Sequence, residues 1–384
     1  MSGKVYKVGV VGSTGAVGKE MIKVLYERKF PTNDENLTLF ASHRSAGKEL
    51  ETPYGKKIIT EFSVEAAREM DYVFLAVSGS FAEQNAPQIA EKGGAVVIDN
   101  SSAFRYKPEI PLVIPEINAH TMAGETLIAN PNCTTAIAAM ALWPLYKAKG
   151  LEKVIVSTYQ ASSGAGAEGM DELEDGLRSW AKGEKIENKV FAHQLPFNVI
   201  PHIDKFQPNG YTKEEMKVTW ETQKIFGDAS IECSCTAVRI PTLRAHSEAI
   251  TIKTRLPINP EEARMLLGCA PGVVVVDEPE KNAYPMPLNA TAKDDVEVGR
   301  IRQSLVFGEY GLDLFVSGDQ LLRGAALNAV LIGEAHYRGE SAMVKQEVEW
   351  VKQKKLEKAG KLALGVVGIG ALVGGLMMLV KKSK

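Results

Sequence analysis

The chain has 384 residues, 45 Lys and Arg against 47 Asp and Glu, 45% hydrophobic and 24% charged residues. That length predicts two domains and a substantial core, and the composition excludes wholesale disorder. A formal charge of −2 gives no electrostatic reason for nucleic acid as a partner, and four cysteines are too few for a disulfide framework.

The chain starts with a strand, a tight turn and a helix. Residues 4–11, with valine at four positions, read as the strand. Gly12-Ser13-Thr14-Gly15-Ala16-Val17-Gly18 forms the turn, and residues 19–27 place Met21, Ile22, Val24 and Leu25 at helical spacing. Glycines at i, i+3 and i+6 depart from the usual G-x-G-x-x-G spacing. Their position at a first strand–helix junction nonetheless suits a backbone that approaches a pyrophosphate at a helix N-terminus. Further apolar runs at 37–41, 72–77, 95–98 and 127–129 alternate with helical stretches at 63–70 and 81–92, which predicts a parallel, Rossmann-type sheet. The second run ends Ala41-Ser42-His43-Arg44-Ser45, with no acid before Glu49. A site for NAD places a carboxylate there. Hydroxyl and guanidinium groups suit a 2′-phosphate, so NADP is the expected cofactor. The other reading is a polar surface loop.

Beyond residue 132 the texture changes to a mixed α+β pattern. A helix is predicted from Cys133 to Lys149, and strands at 154–160, 235–240, 249–254, 273–276 and 312–316. A single helix is expected from Gln320 to Arg338, returning to the first domain. Asn130-Pro131-Asn132-Cys133-Thr134-Thr135 opens the first of these helices. Asn132 is the expected N-cap, and Cys133 falls in the first turn, where the helix dipole favours thiolate. Cys233, Cys235 and Cys269 read as structural. Cys233-x-Cys235 lacks a second ligand pair, so no metal is expected. Of six histidines, His246 lies in a cation-rich junction, Arg239-Ile240-Pro241-Thr242-Leu243-Arg244-Ala245-His246. A second glycine-rich turn, Gln160-Ala161-Ser162-Ser163-Gly164-Ala165-Gly166, follows a strand, and Arg105 follows another.

Taken in order, residues 12–18, 41–47, 99–105, 130–135, 157–166 and 239–248 resemble aspartate-semialdehyde dehydrogenase, in its plant and Gram-positive branch. The likeness runs from about residue 5 to 338. It implies NADPH-dependent reductive dephosphorylation of L-4-aspartyl phosphate to L-aspartate 4-semialdehyde, the branch-point step toward lysine, methionine and threonine. It also implies a homodimer or homotetramer. By motif, Cys133 would be the nucleophile, His246 the acid/base and Gln160 the orienting group for the acyl intermediate. Arg239 would bind the substrate carboxylate, Glu214 its amine, and Arg105 and Lys217 its phosphate. Gly12, Thr14, Gly15, Ala16, Val17, Ser42, His43, Ser163, Gly164 and Gln320 would contact NADP. Two positions depart from the family pattern: Ala129, where many members carry serine, and His43, which varies. N-acetylglutamyl-phosphate reductase shares this chemistry, but its motif has Gly-Cys-Tyr where this chain has Asn132-Cys133-Thr134. A non-catalytic NADP-sensing protein on a membrane is the reading from another class.

The expected organisation is a dinucleotide-binding domain at 1–132 completed by 320–338, a catalytic and dimerisation domain at 133–319, and a charged helical linker at 340–361. The end of the chain differs from the rest. Residues 362–380 carry no charge and nothing more polar than glycine, with lysines on both sides. As a helix they would extend about 28 Å at 1.5 Å per residue, close to a hydrocarbon core of about 30 Å. A transmembrane helix is expected there, anchoring an enzyme whose catalytic part is cytoplasmic.

Overall fold

The computed structural model describes residues 4–339. In chain order the first half contains β1 (Val8–Val11), α1 (Ala16–Glu27), β2 (Leu37–Ala41), β3 (Glu49–Thr52), β4 (Gly55–Ile58) and β5 (Thr60–Glu61). It continues with α2 (Val64–Arg68), β6 (Tyr72–Leu75), α3 (Gly79–Ala90), β7 (Val96–Asp99), α4 (Pro115–Asn118) and β8 (Leu127–Ala129). Six strands make a sheet in the order β5-β2-β1-β6-β7-β8, all pairs parallel. The sequence explains the topology. β1 and β6 are apolar at every position and buried at every position, as strands covered on both faces must be. The chain moves outward from β1 to β2, then crosses back to place β6 on the other side of β1. That reversal opens a crevice beyond the carboxyl end of β1, at the Gly12 turn.

The second half contains α5 (Cys133–Lys149), β9 (Leu151–Tyr159), α6 (Gly166–Ala181), α7 (Lys213–Phe226), β10 (Glu232–Thr236) and β11 (His246–Thr254). After these come α8 (Pro260–Gly268), β12 (Val273–Val275), α9 (Pro287–Ala290), β13 (Val296–Ser304), β14 (Gly308–Gly318) and α10 (Leu327–Arg338). A mixed sheet results, in the order β10-β9-β11-β14-β13-β12. Helices α5, α7 and α8 pack on one face. On that face Val154, Val156, Ile250, Ile252, Leu312, Leu314 and Val316 join α5 in the main core. α5 is buried on all sides along most of its length, because neighbours surround it.

Two expected elements differ in detail. The strand expected at 235–240 ends at Thr236, and Arg239 instead forms isolated bridges with Gln160 and Ile200. The single helix expected from Gln320 is interrupted by a π-helical stretch, Leu322–Ala326, before α10 begins. Asp319 starts the stretch, its Oδ1 accepting from the Leu321 and Leu322 amides at 2.9 and 3.2 Å. The wider turn brings the Gly324 backbone against Cys133: a Cβ at 324 would lie 2.6 Å from the Cys133 Cβ. Such insertions in helices often mark functional positions. α10 then packs on the first sheet, with Gly333 against Phe30, Phe74 and Ile98. Arg28 grips Glu334 of α10 through two bonds of 2.7 and 2.9 Å. No helix among the described residues is long and apolar enough to cross a membrane, and the segment 362–380 lies outside them.

Candidate active site

At the end of β1, Gly12 adopts φ +82°, and a Cβ there would sit 2.2 Å from the Ala76 carbonyl oxygen. A Cβ at Gly18 would sit 2.2 Å from the carbonyl oxygen of Gly12. Both positions therefore require glycine, one for the left-handed turn and one for close packing of α1 on it. Gly15 is the N-cap of α1 and offers no side-chain bond to the first-turn amides, while Ala16 and Val17 begin the helix. Those amides and the exposed Thr14 form an anion cradle beside the crevice. Ser42 and His43 follow β2 directly, exposed on the same carboxyl edge of the sheet. The residues present fit a dinucleotide bearing a 2′-phosphate: amides for the pyrophosphate, no carboxylate at the end of β2.

Cys133 is the first residue of α5, and Asn132 caps the helix as expected. Its Oδ1 accepts from the Thr134 and Thr135 amides at 3.1 and 3.2 Å. The protonation expected at Cys133 is not what the surroundings favour. Burial, and then the Glu214 carboxylate, push the thiol up to about 11, although Arg105, Lys217 and Arg239 pull the other way. A helix N-terminus contributes about 0.3–1 kcal/mol toward the anion, which is less than removing a thiolate from water costs. In the free chain Cys133 is a thiol.

The other candidates gather around it. Glu214 is buried, and its Oε1 accepts from Asn132 Nδ2 at 3.0 Å and from Gln160 Nε2 at 3.2 Å. Its Oε2 pairs with Lys217 Nζ at 2.8 Å, and Lys217 also meets Asp204 at 2.8 Å. The Thr158 hydroxyl donates to Gln160 Oε1 at 3.0 Å, which fixes the orientation of that amide. Arg239 donates to the Ala161 carbonyl at 2.5 Å and lies 5.6 Å from the Phe191 ring centre. It opens onto a pocket of about 300 Å³ shared with Phe191, Ile200, His202 and Asp204.

His246 starts β11 and is fully buried. Its Nδ1 accepts from the Ala161 amide at 3.1 Å, so the neutral ring carries its proton on Nε2. Burial, then Arg239, push the ring pKa down to about 3, and Nε2 has no hydrogen-bond partner. A Cβ at Gly164 would lie 2.7 Å from Arg239 Nη1 and 3.4 Å from His246 Nε2, so Gly164 leaves this corner open. The preceding residue, Ala245, takes φ +67°, and its amide donates to Gln320 Oε1 at 2.7 Å. Gln320 Nε2 in turn meets the Ser163 hydroxyl. Ser163, Gly164 and Gln320 are thus brought together beside His246. Gly12–Val17, Ser42 and His43 lie apart from them, on the first sheet. The Leu322–Ala326 stretch touches both α1 and α5.

Several groups here were not singled out from sequence: Thr158, Asp204, Gly324 and, most centrally, Glu221 of α7. A signal for α7 existed. Thr212-Lys213-Glu214-Glu215 is a capping box, with Thr212 Oγ1 accepting from the Glu215 amide at 3.3 Å and Glu215 Oε2 from the Thr212 amide at 2.6 Å. Counting from it places Glu221 two turns after Glu214, on the same face.

A parallel-sheet dinucleotide cradle, joined to a half-buried cysteine ringed by arginines, a histidine and an amide, defines a nicotinamide-dependent dehydrogenase that works through a thiol. Comparison with known proteins narrows the class. Residues 7–125 match the model described as "Semialdehyde dehydrogenase, NAD binding domain", and residues 142–323 match "Semialdehyde dehydrogenase, dimerisation domain". The aspartate-semialdehyde dehydrogenase of Aquifex aeolicus is 46% identical over 339 residues, 86% of this chain and 97% of that protein. That of Bacillus subtilis is 44% identical over 342 residues, 87% of this chain and 98% of that protein. The crystal structure of aspartate semialdehyde dehydrogenase II from Vibrio cholerae, complexed with ASA, superposes with a TM-score of 0.83 at 40% identity, covering 87% of this chain and 99% of that one. The chain belongs to the aspartate-semialdehyde dehydrogenase family.

Proposed function

We infer that the family's reaction runs at the Cys133 site. The chain is an NADP-dependent oxidoreductase that converts L-4-aspartyl phosphate to L-aspartate 4-semialdehyde and phosphate, in lysine, methionine and threonine biosynthesis. The observation that supports the placement is the bonding around the residue before Cys133: Asn132 is held by Glu214 and Glu221, and these two carboxylates also hold Gln160 and Arg105.

Arg239 holds the substrate carboxylate and Glu214 its ammonium. That ammonium neutralises the charge which, after burial, most raises the Cys133 thiol, so substrate binding itself favours the thiolate. Sulfur attacks the acyl carbon, the carbon–oxygen bond to phosphate breaks, and phosphate leaves with the electron pair between Arg105 and Lys217. Gln160, fixed by Thr158, orients the thioester. NADPH, when bound, would supply the hydride that the thioester carbonyl needs. The developing alkoxide accepts a hydrogen bond from His246 Nε2–H. Its collapse breaks the carbon–sulfur bond and expels Cys133 as thiolate, which regains its proton when the product leaves. For His246 to take the first thiol proton at Nε2, the ring must give up the Ala161 amide bond and move its proton to Nδ1.

Gly12, Thr14, Gly15, Ala16 and Val17 would hold the pyrophosphate of NADP, Ser42 and His43 its 2′-phosphate, and Ser163, Gly164 and Gln320 its nicotinamide end. Residues 1–132 with 320–338 form the NADP-binding domain, and residues 133–319 the catalytic and dimerisation domain. A second copy seats on the face of the mixed sheet away from α5, where Ile155 and Tyr159 are exposed at 47% and 37%. Residues 340–361 link the enzyme to a membrane anchor at 362–380, leaving the catalytic part in the cytoplasm. The absence of charge over 19 residues supports this reading. The anchor is tested by fractionation: the full chain sediments with membranes and one ending near Glu357 does not, whereas equal solubility overturns it.

The activity is tested by phosphate-dependent NADPH formation from aspartate semialdehyde. Cys133→Ala is expected to abolish turnover while NADP binding, followed by titration, persists. Turnover at the wild-type rate in that variant would end the assignment.

A further inference from the structure

α7 carries Glu214, Lys217, Glu221 and Lys224 at spacings of three, four and three, which puts all four on one face. The first two already have roles. Glu221 has none, yet it is completely buried and makes three bonds into the site. Its Oε1 accepts from Arg105 Nη1 at 3.2 Å and from the Tyr106 hydroxyl at 3.1 Å. Its Oε2 accepts from the backbone amide of Asn132, the residue before the nucleophile, at 2.6 Å. One turn on, Lys224 Nζ donates to the carbonyls of Arg105, Lys107 and Ile110 at 2.9, 2.7 and 2.8 Å. One helix face therefore holds Arg105 at both ends, guanidinium and carbonyl.

The bonding of Arg105 limits what it can offer a ligand. Nε donates to the Asn130 carbonyl at 2.8 Å, Nη2 to the Asn100 carbonyl at 2.7 Å, and Nη1 to Glu221. Three of five N–H groups are committed, and two remain for an incoming anion. The charge is also partly cancelled, since a buried carboxylate at 3.2 Å competes directly with any phosphate for the same guanidinium.

We propose that Glu221 is a positioning residue that sets how tightly the site holds phosphate, resting on the reading of Arg105 as the phosphate ligand. Between turnovers it satisfies Arg105, and during turnover it weakens the hold on the departing phosphate dianion so that product leaves. By gripping the Asn132 amide with its other oxygen, it keeps Arg105 and the start of α5 in fixed register. The leaving group and the attacking sulfur are thereby referred to one carboxylate.

The test is the KM for phosphate in the oxidative direction, with NADPH formation as readout. Glu221→Gln keeps the shape and an acceptor for Asn132 but removes the charge, so KM for phosphate falls about threefold or more while KM for NADP stays put. Tyr106→Phe, at a partly exposed position, removes the donor that competes with Arg105 for Oε1. That strengthens the Glu221–Arg105 pair, so KM for phosphate rises about twofold. The opposite signs are the signature, and a merely structural Glu221 produces a loss of kcat in both variants with no such split. An unchanged or raised KM for phosphate in Glu221→Gln overturns the proposal. If that variant does not fold, an unchanged or lowered KM in Tyr106→Phe overturns it instead. Arg105→Lys separates the premise: its KM for phosphate rises about tenfold if Arg105 binds phosphate. An unchanged value there removes the phosphate assignment, and the inference with it.

Discussion

Burial keeps both Cys133 and His246 uncharged in the free chain, and the two groups respond to pH in different ways. Glu214 is the largest cause after burial that raises the thiol. Replacing Glu214 by Gln should lower it by about half a pKa unit or more, which is a threefold rise in thiolate. Alkylation of Cys133 by iodoacetamide near pH 8 should speed up by that factor, and equal rates would show that the carboxylate is not felt at sulfur. His246 has its folded pKa near 3, below the ordinary 6.5. The unfolded chain binds this proton below pH 6.5 and the folded chain does not, so the stability is complete above 6.5 and lost as pH falls toward 3. The loss is about 1.4 kcal/mol per pH unit, or roughly 2 kcal/mol by pH 5. His246→Gln lacks this proton, so between pH 7 and pH 5 it should lose about that much less stability in urea titrations. Parallel losses in the two proteins would contradict a neutral buried ring. The candidate residues could be named from sequence because Asn130–Thr135 and Gln160–Gly166 are local motifs, and the structure brings the two segments together through Glu214. The ionisation of Cys133 was not, since burial is supplied by elements far away in the chain.

At the scale of elements, legibility followed how local the cause was. α5 runs from Cys133 to Lys149 as read, because Asn132 caps one end and Gly150, at φ +68°, ends the other. β1 and β6 were plain as continuous apolar runs, whereas β13, interrupted by Arg300 and Arg302, and the charged hairpin of β3 and β4 left no clear pattern. The π-helical stretch was invisible, because one inserted residue leaves the apolar spacing of Leu321, Leu322, Ala325 and Leu327 intact. Its consequence is specific. Gly324→Ala would push a methyl to within 2.6 Å of the Cys133 Cβ and 3.0 Å of its Cα. Sulfur must then move, and a shift of this size is expected to cost on the order of 100-fold in kcat. NADP binding and thermal unfolding should change little. Wild-type kcat in this variant would mean that the π-helical stretch relaxes instead.

For the whole molecule, the two sheets were legible as two textures, but the tie between α1 and α10 was visible only as an expected returning helix. Its chemistry is the Arg28–Glu334 pair, which is bidentate and buried at the glutamate end. Breaking a buried pair from one side costs about 3–5 kcal/mol. Because the Arg28 side chain is 30% exposed, about 2 kcal/mol is expected for Arg28→Ala. Arg28→Lys should recover less than half of it, since an ammonium cannot reproduce the fork. A urea midpoint unchanged in Arg28→Ala would remove this pair from the account.

The return of α10 also bears on how the protein is made. β8 ends at Ala129 and α10 begins at Leu327, so the helix that covers Phe30, Phe74 and Ile98 is synthesised after the entire mixed sheet. At 5–20 residues per second that is a delay on the order of 10–40 s, during which the nascent first sheet presents a bare apolar patch. Chaperones that shield such patches therefore have their longest opportunity on the earliest part of this chain. A transcript truncated before codon 327 should yield a product that aggregates even though every strand of both sheets is present.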